Sequence, residues 1–409
     1  MKVDTMRRID YYVGVPLCFL GSILNKLALL ASKQNMKAPR NILFIELSEM
    51  GSAILVDPAM RKLQQEINAA VHFAIFKKNK ASLDLLKTVP ERNIYTIREN
   101  NMAAFIFDTV KFVFWTRARK IDAVIDLELF SRFTALLTGF SGAPHKVGFH
   151  AYYNEGLYRG SFLTHKVAYN PHIHIAKNFI ALVNALLAPR REIPFSKTLI
   201  ADEEIKLAKA AIGDEDKKNI RGILAGCFEE YTPEKHRIIL INPNASELLI
   251  QRRWPPQYYV QLMKSILEAC ENALILITGD PGEREEAGLL KEQVNSQRVI
   301  NFAGKITFAQ LPALYSISEF MITNDSGPGH FSAVTDMPSF VIFGPETPSL
   351  YGSLGRTTAI YAGLACSPCV SAANHRKTAC KDNVCLQVIK PEHVFATIKP
   401  NLEKINAER

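Results

Sequence analysis

Two runs of short apolar segments, each alternating with helix-spaced segments, constrain this chain more than any other feature. The first starts at residue 41 with "NILFIEL" and continues through "VHFAIFK", "NIYTI", "DAVIDLEL" and "KVGF". Between them lie "AILVDPAMRKLQQEI", "ASLDLLKTV", "MAAFIFDTVKFVFWTRARK" and "FSRFTALLTGF". In the first of these, Ile54, Leu55, Ala59 and Leu63 recur on one helical face. The second run starts at "RIILINPNA" and continues through "ALILITGD", "RVINFAG", "EFMIT" and "SFVIFG", again with helical segments between. Strands that are apolar almost throughout, alternating with helices, predict parallel sheets covered on both faces. A chain of 409 residues is too long for one ordinary core. The expected fold class is therefore α/β, with two Rossmann-like doubly wound domains whose strand-end loops face a cleft.

The expected boundaries are residues 1–38 for an amino-terminal apolar helix, 39–200 for the first domain, 201–236 for a polar linker, 237–395 for the second domain and 396–409 for a tail. Apolar residues at 48% and charged residues at 22% exclude a disordered chain. The net charge of +9 favours anionic partners, with a merely solvated basic surface as the plain alternative. No aromatic-interleaved basic stripe, zinc finger or helix-turn-helix signature is present, so nucleic acid is not an expected partner.

The stretch from Val13 to Ala31 is apolar but broken by Gly14, Pro16, Gly21, Ser22, Asn25 and Lys26. It is marginal for a spanning helix and a poor signal peptide. It reads as a helix on a membrane surface, with Arg7, Arg8, Lys26 and Lys33 toward lipid phosphates and Tyr11, Tyr12, Leu17, Phe19, Leu20 and Leu27 in the acyl boundary. The alternative is a helix packed on the protein's own body.

Three strand-end loops carry candidate binding residues. In "NDSGPGH", Asn324 and Asp325 close a strand, while Ser326, Gly327, Pro328 and Gly329 form a turn into a helix. Amides at a helix start suit a phosphate, although Asp or Ser there is also an ordinary cap. "INPNASELLIQRRWPP" places Asn244, Arg252 and Arg253 after another strand; two guanidiniums there suit a diphosphate, or are simply solvated. "ITGDPGERE" supplies Gly279 and Glu283, the latter toward ribose hydroxyls or merely favouring a helix dipole.

With "NILFIELSEMGSAILVDPAMRKL" and "ITNDSGPGHFSAVTDMPSFVIFGPETP", these motifs resemble bacterial glycosyltransferase family 9, the ADP-heptose:lipopolysaccharide heptosyltransferases, over about residues 40–395. The resemblance implies the two-domain GT-B architecture and inverting transfer of a heptose from a nucleotide sugar to a lipopolysaccharide or related glycolipid. No metal or other cofactor is required. Asp325, Ser326, Gly327, Pro328, Gly329 and His330 match the family's loop for diphosphate and heptose. Arg252 falls where the family has Lys or Arg, and Glu283 lies near its nucleoside-contacting acid. The family's Gly-Asp after the first strand, which carries its proposed general base, is here Gly51-Ser52. A serine takes no proton at neutral pH without a partner. Glu49 is the expected substitute, with Glu46 and Asp57 behind it.

The expected location is the cytoplasm, peripherally on the inner face of the inner membrane. Another nucleotide sugar, or a lapsed copy that only binds one, are the alternative functions. The seven cysteines are odd in number and three are scattered, which argues against a secreted disulfide framework. The remaining four, Cys366, Cys369, Cys380 and Cys385, have spacing that would suit a structural zinc; a disulfide or reduced thiols are the alternatives.

Overall fold

The computed structural model describes residues 3–31, 38–153, 156–190, 192–245, 247–371, 374 and 376–407. Lys33, expected among the cations of the amino-terminal helix, lies outside them. The chain forms two compact units, Met1–Lys206 and Leu207–Arg409.

The first unit contains β1 (Asn41–Ile45), β2 (Ala70–Phe76), β3 (Ile94–Ile97), β4 (Ala123–Asp126), β5 (His145–Phe149) and β6 (His165–Val167). They form one parallel sheet in the order β3-β2-β1-β4-β5-β6. The second unit contains β7 (Arg237–Asn242), β8 (Ala273–Ile277), β9 (Val299–Asn301), β10 (Phe320–Asn324), β11 (Ser339–Phe343) and β12 (Thr357–Tyr361). Its parallel sheet runs β12-β11-β10-β7-β8-β9. Each sheet starts in its middle and reverses once, between β1 and β4 and between β7 and β10. Loops diverge at such a point and leave a crevice at the strands' carboxyl ends.

Local chemistry sets the elements. β8, "ALILI", is buried at every position, as a central parallel strand should be. Asn101 caps the Met102–Ala118 helix by accepting from Ala104 N at 2.7 Å, and Ser131 caps Arg132–Phe140 by accepting from Thr134 N at 3.1 Å. Pro256 opens the Pro256–Ala269 helix, where a missing amide costs nothing.

Some elements differ from expectation. The helix expected over residues 53–67 is two helices, Met50–Leu55 and Asp57–Ile67. Pro58 lacks the amide that would bond the Ile54 carbonyl, so the chain bends at Val56. The edge strands β6 and β12 are short or half-exposed and carry little apolar signal. Inside the expected linker, Asp214–Cys227 is a helix with Ile220 and Leu224 buried. The expected tail is also helical, as part of Pro391–Ala407. Val394, Ile398, Leu402 and Ile405, at helical spacing, enter the core beside the Pro256–Ala269 helix.

At the amino terminus, helices Val3–Tyr12 and Gly14–Ala31 rest against Arg132–Phe140. Among the described residues no helix is long and apolar enough to cross a membrane.

Candidate active site

In the second unit the register decides which residues meet. Asn242 aligns with Thr323, so the loops beginning at Pro243 and Asp325 leave the sheet side by side. Asn324 ties them together: its Nδ2 donates to Pro243 O at 2.6 Å, and its Oδ1 accepts from Trp254 N and the Tyr259 hydroxyl, both at 3.0 Å. Buried Trp254 donates from Nε1 to Ile389 O at 2.8 Å. These bonds fix the loop that carries Arg252.

Arg252 reaches two acids. Its guanidinium lies 3.1 Å from Glu346 and 3.8 Å from Asp325. Its Nη1 also donates to Asp325 O at 3.4 Å. Asp325 and Glu346 are 3% and 2% exposed, and their carboxyls are within hydrogen-bonding reach of each other. Arg376 approaches the other Glu346 oxygen at 3.4 Å and lies over the Tyr351 ring. Burial pushes the Glu346 carboxyl up to about 8, Arg252 opposes that shift, and the Asp325 charge adds to it. Burial also raises Asp325, against the pull of Arg252. Two buried carboxylates this close titrate as a pair, and their repulsion disfavours charging both.

The turn after β10 is tighter than its sequence suggests. Ser326 begins the six-residue helix Gly327–Ser332, and its hydroxyl donates to Asn324 O at 3.2 Å. A Cβ on Gly327 would lie 2.8 Å from the Phe331 ring, and one on Gly329 would lie 3.2 Å from Val341. Both glycines therefore serve close packing within the unit. Pro328 has no amide hydrogen, and Gly329 N already donates to Ser326 O at 3.2 Å. Of the four positions, Ser326 and Gly327 thus keep amides outside the turn's own backbone bonds, rather than all four as expected. Pro328 and His330 are half-buried beside them.

Gly279, Asn244 and Glu283 come together. A Cβ on Gly279 would meet Glu283 Oε2 at 2.7 Å and Asn244 Nδ2 at 3.1 Å. Glu283 Oε2 accepts from Asp280 N at 2.7 Å. Burial raises the Glu283 carboxyl, with the Asp280 amide and Asn244 holding it down. Arg253 turns away from Arg252: it donates to Ala245 O at 3.1 Å and pairs with Glu286 at 3.3 Å. The two guanidiniums expected to act together thus face different partners.

In the first unit, Ile45 aligns with Asp126, so the loops after β1 and β4 also emerge together. Glu49 sits immediately before the Met50–Leu55 helix and accepts from the Ser52 hydroxyl at 3.2 Å; Gly51 lies between them. Glu128, from the β4 loop, accepts from Leu47 N at 3.0 Å, Ser48 N at 3.2 Å and the Ser48 hydroxyl at 3.0 Å. Burial raises the Glu128 carboxyl, and these donors oppose the shift. Glu46 faces the Ser48 hydroxyl at 3.5 Å. Asp57 is fully buried, bonded to Arg61 at 2.8 Å and to the Thr88 hydroxyl, which occupies it structurally. Buried Asp126 is held by Arg159 and Thr134.

Sequence reasoning missed Glu346, Arg376 and Glu128. Two had a readable signal: "FGPE" follows β11 and "DLE" ends β4, so both acids lie at the carboxyl ends of strands. Arg376 had none, because it arrives from a long loop.

The expectation of a structural zinc is corrected. Among the described residues no group of three or more His, Cys, Asp or Glu side chains is placed to hold a metal ion. Cys369 faces the Thr378 hydroxyl at 3.3 Å, and Cys380 faces Asp382 at 3.3 Å. Cys385 is buried under Gly344 and Cys366 is exposed; all four are free thiols. The other three nonetheless lie near enough to Cys385 that their charges, after burial, help raise its thiol.

The same strand order, repeated in both units, defines a fold of two Rossmann-like domains. Residues 114–379 match glycosyltransferase family 9 (heptosyltransferase), and the chain belongs to that family. It is 30% identical over 170 residues to lipooligosaccharide heptosyltransferase 2 of Campylobacter jejuni, covering 40% of this chain and 51% of that one. It is 21% identical over 224 residues to lipopolysaccharide heptosyltransferase 2 of Salmonella typhimurium, covering 53% and 58%. The chain spans about half the length of the curated relatives it matches. Among solved structures, E. coli ADP-heptose lps heptosyltransferase II superposes with a TM-score of 0.67 at 19% identity, covering 90% of this chain and 99% of that one. A family 9 glycosyltransferase from Veillonella parvula gives 0.68 at 18%, covering 91% and 100%. These likenesses concern the fold.

Proposed function

We propose that this chain is an inverting glycosyltransferase that moves a heptose from ADP-heptose to the lipopolysaccharide core or a related glycolipid. The observation that carries the reading is Arg252 with Asp325 at the β7–β10 switch point of a family 9 chain. Arg252 and the amides of Ser326 and Gly327 stabilise the negative charge that develops on the leaving diphosphate. Glu283, with Asn244, accepts hydrogen bonds from ribose hydroxyls; Gly279 leaves room for the nucleoside. Asp325 accepts from sugar hydroxyls, and Glu346 positions Arg252 from behind.

In the first unit, Glu49 takes the proton of the acceptor hydroxyl. The acceptor oxygen attacks the anomeric carbon, the bond from that carbon to the diphosphate breaks, and ADP departs with its electron pair. Ser52 donates to Glu49 and orients it. No metal or other cofactor takes part.

Isothermal titration of ADP and ADP-heptose tests the donor site. Arg252→Ala is expected to weaken both by about ten-fold or more, a common loss when one partner of a buried charged pair is removed. Unchanged affinity in both Arg252→Ala and Asp325→Ala removes the assignment. The glycolipid assignment is checked separately, by mass spectrometry of lipopolysaccharide from cells lacking the protein.

A second reading, a copy that binds the donor without turnover, is favoured by Ser52 at the place of the family's acid. Donor binding with no transfer to any glycolipid offered supports it.

A further inference from the structure

The Gly14–Ala31 helix is built the wrong way round for a helix on a soluble surface. Its inward face is small: Gly14 lies against Arg132, Gly21 against Phe162, and Cys18 and Ser22 are buried between. Ser22 accepts from Ser161 N at 2.7 Å, and Asn25 accepts from Lys146 at 2.9 Å. Asp10, on the preceding helix, accepts from Arg132 N at 2.9 Å and Phe133 N at 3.0 Å. The attachment is thus made by small and polar groups. The large apolar side chains Leu17, Leu20, Ile23, Leu24 and Leu27 point outward and are exposed.

The Met102–Ala118 helix does the same on its outer side. Ile106, Phe107, Val110 and Phe114 form one exposed face, with Phe107 at 61% and Phe114 at 67%, while Phe112 is fully buried. Both helices flank Arg132–Phe140. Phe140 bridges them: a Cβ on Gly21 would lie 3.4 Å from its ring, and its carbonyl accepts from Arg117 at 3.2 Å. Single exposed apolar residues are ordinary, but a contiguous face of this kind marks an interaction site.

Charge selects the occupant. Lys26 is the only charged residue of the Gly14–Ala31 helix. Lys111, Arg117, Arg119 and Lys120 are exposed along or beside the second helix. That helix has one acid, Asp108, which is buried and paired with Arg98 through two bonds of 2.8 Å. A second copy related by a two-fold axis would set cations against cations. An anionic lipid surface takes both the apolar face and the cations.

We infer that the Gly14–Ala31 and Met102–Ala118 helices together form one face that docks on an anionic bilayer, lying on it rather than crossing it. The second helix is as necessary as the first. The proposal stands apart from the donor-site reading, since no residue of that site takes part.

Flotation of the full chain with phosphatidylcholine vesicles, with and without phosphatidylglycerol, tests it. The wild-type chain is expected to float with the anionic vesicles and to be released by salt. Phe107→Glu with Phe114→Glu, and separately Leu20→Glu with Leu24→Glu, are each expected to lower binding by about ten-fold or more. Leu289→Glu, on an exposed helix of the second unit, is expected to bind as wild type. Circular dichroism checks that the variants are folded, and Phe107→Ser with Phe114→Ser is the milder arm. Folded Phe107/Phe114 variants that bind like wild type overturn the proposal. So does a wild-type chain that ignores anionic vesicles and instead dimerises in light scattering, with the same variants becoming monomeric.

Discussion

Glu346 is the residue on which the electrostatics of the second unit turn. Its carboxyl titrates near 8 because burial outweighs the pull of Arg252. Burial raises Asp325 as well, so the two acids titrate as one pair opposite Arg252. As pH rises through about 8, a second negative charge appears beside the proposed diphosphate site. ADP affinity is expected to fall over that interval, and Glu346→Gln to remove the dependence; titration calorimetry from pH 6 to pH 9 reads both. Stability follows the same proton. An acid whose folded-state value is raised stabilises the fold fully below its unfolded value, and that contribution is lost as pH climbs toward the folded one. Glu346 thus lowers stability between about pH 4.5 and pH 8, and Glu346→Gln is expected to flatten urea midpoints there. In the first unit, Glu49→Gln is expected to cut turnover about 100-fold or more with donor affinity unchanged, a typical loss for a general base. Retained turnover rules out Glu49 as the base and leaves Glu128, at the end of β4, as the next candidate.

At the scale of elements, one side chain joins three segments. Asn324→Ala removes hydrogen bonds to Pro243, Trp254 and Tyr259, all buried. The expected cost is about 3 kcal/mol, at roughly 1 kcal/mol per bond, read from urea unfolding. Gly279→Ala forces a methyl group to 2.7 Å from Glu283, and nucleoside affinity is expected to drop while the fold persists. The strands legible in the sequence were the central ones, such as β8, whose every position is buried. Edge strands β6 and β12 were not: β6 is only three residues long, and half-exposed β12 mixes polar and apolar residues. The carboxy-terminal helix escaped notice for a different reason. Val394, Ile398, Leu402 and Ile405 form a sparse stripe whose meaning depends on the helix it packs beside.

The whole molecule comprises two units, each with its own sheet and core. Under the proposed function, a ligand of the second unit stabilises that unit first. At about 100 times its Kd, ADP is expected to add roughly 2.7 kcal/mol. Hydrogen exchange should show the protection at the carboxyl ends of β7, β8 and β10, with the first sheet unchanged. Protection spread equally over both sheets contradicts a donor site carried by the second unit alone.

The sequence by itself determined the class of fold and singled out the strand-end loops to which the proposed chemistry is assigned. Strand alternation and loop position are local properties, written in neighbouring residues. It named Asp325, Arg252, Glu283 and Glu49 from those loops. Only the tertiary structure decided what each one faces. That Arg252 meets Glu346 and Arg253 meets Glu286, and that two apolar helices share one outer face, depend on distant segments being brought together. Register and packing set those meetings, and neither is a property of any single stretch of chain.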